Sequence, residues 1–111
     1  MNYLVQLKLA SRPDTPQEGI VFIEQFILPT LEQCKRLEVE KKIVAGGPLS
    51  GAVALSLIVS AESAQELDDL ITSLPVWPQM ETTVTPLSTF DVRMQAVRAR
   101  LEQLKTHGGD R

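Results

Sequence analysis

Leu74-Pro75-Val76-Trp77-Pro78-Gln79-Met80 is the stretch on which the chain turns, because a helical pattern runs into its first proline and a strand pattern leaves its second. Pro75 lacks the amide proton that would continue a helix and disfavours helical backbone at Leu74; Pro78 stiffens the turn that follows. Upstream, Leu67, Leu70, Ile71 and Leu74 recur at threes and fours, the buried stripe of a helix. Ser63-Ala64-Gln65-Glu66 has capping-box form, in which the serine oxygen accepts the third helical amide and the glutamate reaches back to the cap amide. Downstream, Glu81 to Leu87 is rich in threonine and valine and reads as a strand, with Pro86 marking a sheet edge or the strand's end. The corner therefore joins a helix to a closing strand and carries the chain's single tryptophan.

Further out, Ala52 to Ser60 alternates, with Val53, Leu55, Leu57 and Val59 on a core face and Ala54, Ser56 and Ile58 on the reverse. Ile43 to Gly47 is short and apolar, and Pro48-Leu49-Ser50-Gly51 has turn chemistry, so the two segments form a hairpin. Tyr3 to Leu9 alternates as well, placing Tyr3, Val5, Leu7 and Leu9 inward and Leu4, Gln6 and Lys8 outward. Between them lies a long helix, capped by Thr15 with Pro16 at its first position. Its stripe is expected at Ile20, Ile23, Ile27, Leu31 and Cys34, with a kink or break near Phe26 imposed by Pro29.

The order βαββαβ predicts an α+β, ferredoxin-like sandwich with a four-stranded antiparallel sheet and helices on one face. A further helix, capped by Ser88, follows. Its stripe of Phe90, Met94, Val97, Leu101 and Leu104 has no place on the helix-covered face of the sheet. The expected organisation is one ferredoxin-like domain over 1–111: a core at 1–90, a helical extension at 91–105 and a frayed tail at 106–111. The extra stripe and the mixed reverse face predict a homodimer or higher homo-oligomer, with the last helix in the interface.

Composition bounds the function. A chain of 111 residues, 43% hydrophobic and 23% charged, buries one modest core. A net charge of -3, from 14 acidic and 11 basic residues, predicts neither a nucleic-acid partner nor an anionic membrane partner. The apolar runs fall short of the roughly 20 residues needed to cross a membrane. A single cysteine precludes an intramolecular disulfide, and no signal-peptide pattern opens the chain, so a cytoplasmic location is expected. With one histidine, one cysteine and no clustered aspartates, no metal site and no cofactor is predicted.

Glu66-Leu67, the stretch Leu74 to Met80, and Val84-Thr85-Pro86-Leu87 resemble the second half of muconolactone isomerase and its relatives. The resemblance implies a ferredoxin-like fold that pairs its sheets into a dimeric α+β barrel, and a lactone proton shift that needs no cofactor. The family pattern has a basic and aromatic second strand with Arg, His and Trp, whereas here that segment reads Ile43-Val44-Ala45-Gly46-Gly47. This chain also continues past Phe90 with a helix that the short family enzyme lacks.

A proton shift needs a general base near a carbon acid and a donor where enolate charge develops. The carboxylates Glu24, Glu32, Glu38 and Glu40 fit the solvated side of the long helix, and the sequence identifies no catalytic residue. Gln6, Lys8 and Ser56 share the reverse face of the sheet and form the expected ligand-binding patch for a small anion, with Trp77 as a pocket-lining aromatic. His107 sits beside glycines near the end of the chain, Cys34 lies on an apolar stripe, and Gly46 to Gly51 reads as a turn rather than a phosphate loop. The function expected is a small muconolactone isomerase-like protein that binds a small organic acid or lactone, with cofactor-free isomerase chemistry implied by the resemblance. The alternative is a non-catalytic binding or assembly module of the same barrel type. A cofactor-independent monooxygenase on this architecture is a third class, which no residue selects.

Overall fold

The computed structural model describes residues 1–108. Four strands, β1 (Asn2–Leu9), β2 (Ile43–Pro48), β3 (Ala54–Ser60) and β4 (Met80–Pro86), form one antiparallel sheet in the order β2-β3-β1-β4. With helices α1 (Pro16–Phe22), α2 (Leu28–Val39) and α3 (Ala64–Thr72) between them, this is the βαββαβ, ferredoxin-like arrangement. β4 is an edge strand, which is where Pro86 is tolerated.

The period-two reading of the central strands holds. Val5, Leu7, Leu55, Leu57 and Val59 are buried and meet Leu67, Leu70, Ile71 and Leu74 of the α3 side. On the reverse face Leu4, Ala54, Ser56 and Ile58 are half-buried while Gln6 and Lys8 are exposed. Val53, expected on the core face, instead lies in the turn before β3 and is exposed. The hairpin's pairing shifts at a bulge between Ile43 and Ala45. Just beyond it, Gly46 has φ +108°.

Ser63 caps α3 as expected, its Oγ accepting the Glu66 amide at 3.1 Å. The Glu66 carboxylate accepts from the Glu62 amide at 3.0 Å, one residue before the cap. The helix ends at Thr72, and a tight 3-10 turn at Trp77–Gln79 then leads into β4. The long first helix is interrupted where Pro29 removes a donor. Around Ile23–Ile27 the coil widens into a π-turn, and the Leu28 amide reaches back to the Ile23 carbonyl. The wider turn relieves the clash of a proline ring with the preceding turn and gives the break near Phe26 that the sequence predicts.

The last helix, α4 (Phe90–Gly108), is capped by Thr89 and not by Ser88: the Thr89 hydroxyl accepts the Val92 amide at 3.1 Å. It continues through Thr106 to Gly108, where a frayed tail was expected, and residues 109–111 lie outside the described residues. All five stripe residues are exposed, from 45% at Met94 to 89% at Phe90. The helix projects from the domain and stretches the molecule to 70 × 30 × 23 Å. Among the described residues, no helix is long and apolar enough to cross a membrane.

Candidate functional site

The first helix was expected to bury Ile20, Ile23 and Leu31, yet these residues are 54%, 50% and 36% exposed. The helix is lifted from one end of the sheet, and the space beneath it is a cleft of about 870 Å³. Much of the stripe that periodicity assigns to a core therefore lines a cavity. Periodicity reports only that a face is apolar and does not say whether protein or ligand covers it.

Local chemistry fixes the three walls of this cleft. The loop Arg12–Pro16 is held by the Thr15 hydroxyl, which accepts the Glu18 amide at 3.2 Å, and by the Glu18 carboxylate, which accepts the Asp14 amide at 2.9 Å. The second wall is the helical segment, where Gly19, Ile23, Ile27 and Leu31 follow one face through the π-turn. The third is the turn Gly51 to Ala54, which Gly51 allows by adopting φ +81°.

Val76 and Met80, from the proline corner, complete the lining. That corner is tied to the helix by the buried hydroxyl of Thr30, whose oxygen accepts the Val76 amide at 3.0 Å. Among the described residues Thr30 is the buried polar one, 2% exposed. A valine there would leave the Val76 amide unpaired, at a cost of about 1–3 kcal/mol.

The lining is mainly aliphatic, with polar groups at Arg12, Asp14, Thr15 and Thr30. Arg12 makes no ion pair with another described residue, the ion pair among these being Lys42–Glu40 at 3.7 Å. The cleft thus offers an apolar slot with a guanidinium and a carboxylate, Asp14, on one loop. That combination suits a small molecule with a hydrophobic ring and an anionic arm.

The residues singled out by sequence fall elsewhere. Gln6 and Ser56 are direct cross-strand partners, and Lys8 stands two positions along the same face, opposite Glu81 of β4. They are brought together, but on the side of the sheet away from the cleft. Trp77 is 38% exposed and does not line the cleft, although its neighbour Val76 does. The sequence does not single out Arg12 and Asp14, because Ser11-Arg12-Pro13-Asp14 reads as an ordinary polar turn. The available signal was the one charged turn placed directly before the capped helix.

Cys34 is half-buried beside the core, and burial pushes its thiol above the ordinary value of 9.0. It therefore remains a neutral thiol at physiological pH, unsuited to nucleophilic work. Among the described residues no group of three or more His, Cys, Asp or Glu side chains could hold a metal ion.

Comparison with known proteins places this geometry in context. The sequence model of muconolactone delta-isomerase matches residues 1–93. The fold is similar to that of the muconolactone isomerase crystal structure, at 22% identity over 80% of this chain and 90% of that one, with a TM-score of 0.67. It is also similar to the 5-chloro-2-hydroxyhydroquinone dehydrochlorinase of Burkholderia phenoliruptrix AC1100 in complex with 2,5-dihydroxybenzoquinone. There the identity is 24% over 82% of this chain and 97% of that one, with a TM-score of 0.55. No curated protein matches in sequence.

Proposed function

This chain belongs to the muconolactone delta-isomerase family, and from that premise we propose that its cleft binds a small unsaturated lactone or cyclic organic acid and shifts a proton within it without a cofactor. The observation that carries the reading is the apolar cleft with Arg12 and Asp14 on a single capped loop. The Arg12 guanidinium holds the ligand's carboxylate. Asp14 is the carboxylate among the lining residues and serves as the base. It takes a proton from the ring carbon gamma to the lactone carbonyl, and the electron pair moves through the conjugated double bond onto the carbonyl oxygen as a dienolate. The protonated Asp14 then returns the proton to the carbon beside the carbonyl, so the double bond migrates with no net oxidation or reduction. Thr15, also in the lining and exposed, supplies a hydroxyl donor for the developing charge.

The same reading makes the protein a homodimer that stacks the reverse faces of its two sheets. The half-buried Leu4 and Ile58 support this, since they lie on a face that no helix covers. In that arrangement Gln6, Lys8 and Ser56 face the partner's sheet. The pairing of Gln6 with Ser56 beside Lys8 makes this space a second place for a small anion.

Exchange of solvent deuterium into muconolactone tests the proposal. The wild-type protein is expected to catalyse exchange, and Arg12→Ala to lower it roughly ten- to a hundredfold, the loss of one charge-assisted hydrogen bond. Loss of exchange in Lys8→Ala with Arg12→Ala unaffected would move the site to the space between the sheets. No exchange with any of the three proteins would reject the isomerase and leave a binding module.

A further inference from the structure

The cleft and the last helix are each left open in a single chain. On α4, Met94, Val97, Leu101 and Leu104 expose between 45% and 57% of their surface, while at the cleft Ile23 and Val53 expose 50% and 43%. The helix cannot close the cleft of its own chain from where it stands. It leaves the sheet beyond Pro86, which pairs with Tyr3, whereas the cleft lies at the other end, where Leu9 pairs with Met80.

Charge selects the surface that α4 fits. The cleft helix from Pro16 to Glu32 carries Glu18, Glu24 and Glu32 and no lysine or arginine, and the loop before it adds Arg12 and Asp14, whose charges offset each other. The segment from Arg93 to Lys105 carries Arg93, Arg98, Arg100 and Lys105 against a single acid, Glu102. Two copies of α4 laid together would oppose like charges, whereas α4 laid on the cleft helix opposes unlike ones.

We propose that in the dimer α4 of each chain lies across the cleft mouth of the other, with Val97 and Leu101 against Ile23 and Leu31 and the arginines against Glu18, Glu24 and Glu32. The inference rests on the sheet-stacked dimer of the preceding subsection. Stacking with strands antiparallel brings the root of each α4 to the cleft end of its partner. A helix of 19 residues reaches roughly 28 Å, ample to pass a sheet stacked about 10 Å away. The site is then completed by the partner copy, and ligand entry requires the partner's helix to lift. Most of α4 lies beyond residue 93, where the family match ends, so this closure is an addition particular to the extended chain.

Disulfide trapping in the full-length chain tests it, in a Cys34→Ser background. Chains carrying Ile23→Cys are mixed with chains carrying Val97→Cys or Leu101→Cys, allowed to exchange subunits and oxidised mildly. All three introduced positions are exposed, so the substitutions leave the fold intact. A covalent heterodimer of the two kinds of chain is the expected product. Preferential coupling of Val97→Cys chains to each other would overturn the proposal, as would the absence of a heterodimer from a protein whose solution mass is dimeric. A monomeric wild-type mass would overturn both the closure and the stacked dimer. In a parallel arm, Arg98→Glu with Arg100→Glu is expected to raise the dimer dissociation constant on the order of tenfold, and Glu24→Arg with Glu32→Arg to restore it. Failure of the restoration contradicts the pairing. None of these readouts depends on lactone turnover, so failure of the isomerase reading leaves a distinct signature.

Discussion

Gly46→Ala is expected to destabilise the domain by about 2–6 kcal/mol and to lower its midpoint of thermal unfolding by more than about 10 °C. Two effects combine. Gly46 holds φ +108°, a conformation that an L side chain rarely adopts, and a methyl group there would run into the Ser56 carbonyl oxygen and stand 2.8 Å from the Leu57 Cα. Both obstacles are backbone of the neighbouring strand, so relief requires β2 and β3 to separate rather than a side chain to rotate. Gly47→Ala meets nothing within 4 Å of the added carbon and serves as the control. A scanning calorimetry trace for Gly46→Ala within about 2 °C of wild type would contradict this account of the bulge.

Leu74→Ala is expected to cost about 2–5 kcal/mol, measured by urea unfolding. Leu74 is 1% exposed and sits where α3 gives way to the proline corner, against the core contributed by β1 and β3. The prolines on either side of Trp77 keep this corner from collapsing onto the vacancy, which favours the upper part of the range. Because Val76 and Met80 follow directly and line the cleft, the substitution is also expected to loosen ligand binding. A loss below about 1 kcal/mol would show that the corner is not anchored through Leu74.

These two positions mark what the sequence could and could not disclose. Leu74 is legible because a helical stripe running into Leu-Pro leaves little choice about where it points. Gly46 is not, since the bulge that demands its conformation arises only from how Ile43 and Ala45 register against β3, a non-local property. The first helix divides in the same way. Its cap at Thr15 and its break before Pro29 follow from local donor arithmetic, so both were predictable. That Ile23 would line a cleft and not a core depends on how far the helix stands from the sheet, which no periodicity encodes. For α4 the apolar stripe is legible but the cap is not, because Ser88 and Thr89 are adjacent and chemically equivalent as caps. Arg12 and Asp14 are not legible in the sequence because a charged turn gains meaning only from the cavity it borders.

The central claim is that ligand enters beneath the first helix, and the most direct test is backbone amide chemical-shift mapping of the full-length protein titrated with muconolactone. Saturable shifts are predicted along Arg12 to Gly19, through Ile23 to Leu31 and across Gly51 to Leu55, the segments that wall the cleft. Shifts confined to Gln6, Lys8, Ser56 and their cross-strand neighbours, or none at millimolar ligand, would contradict it.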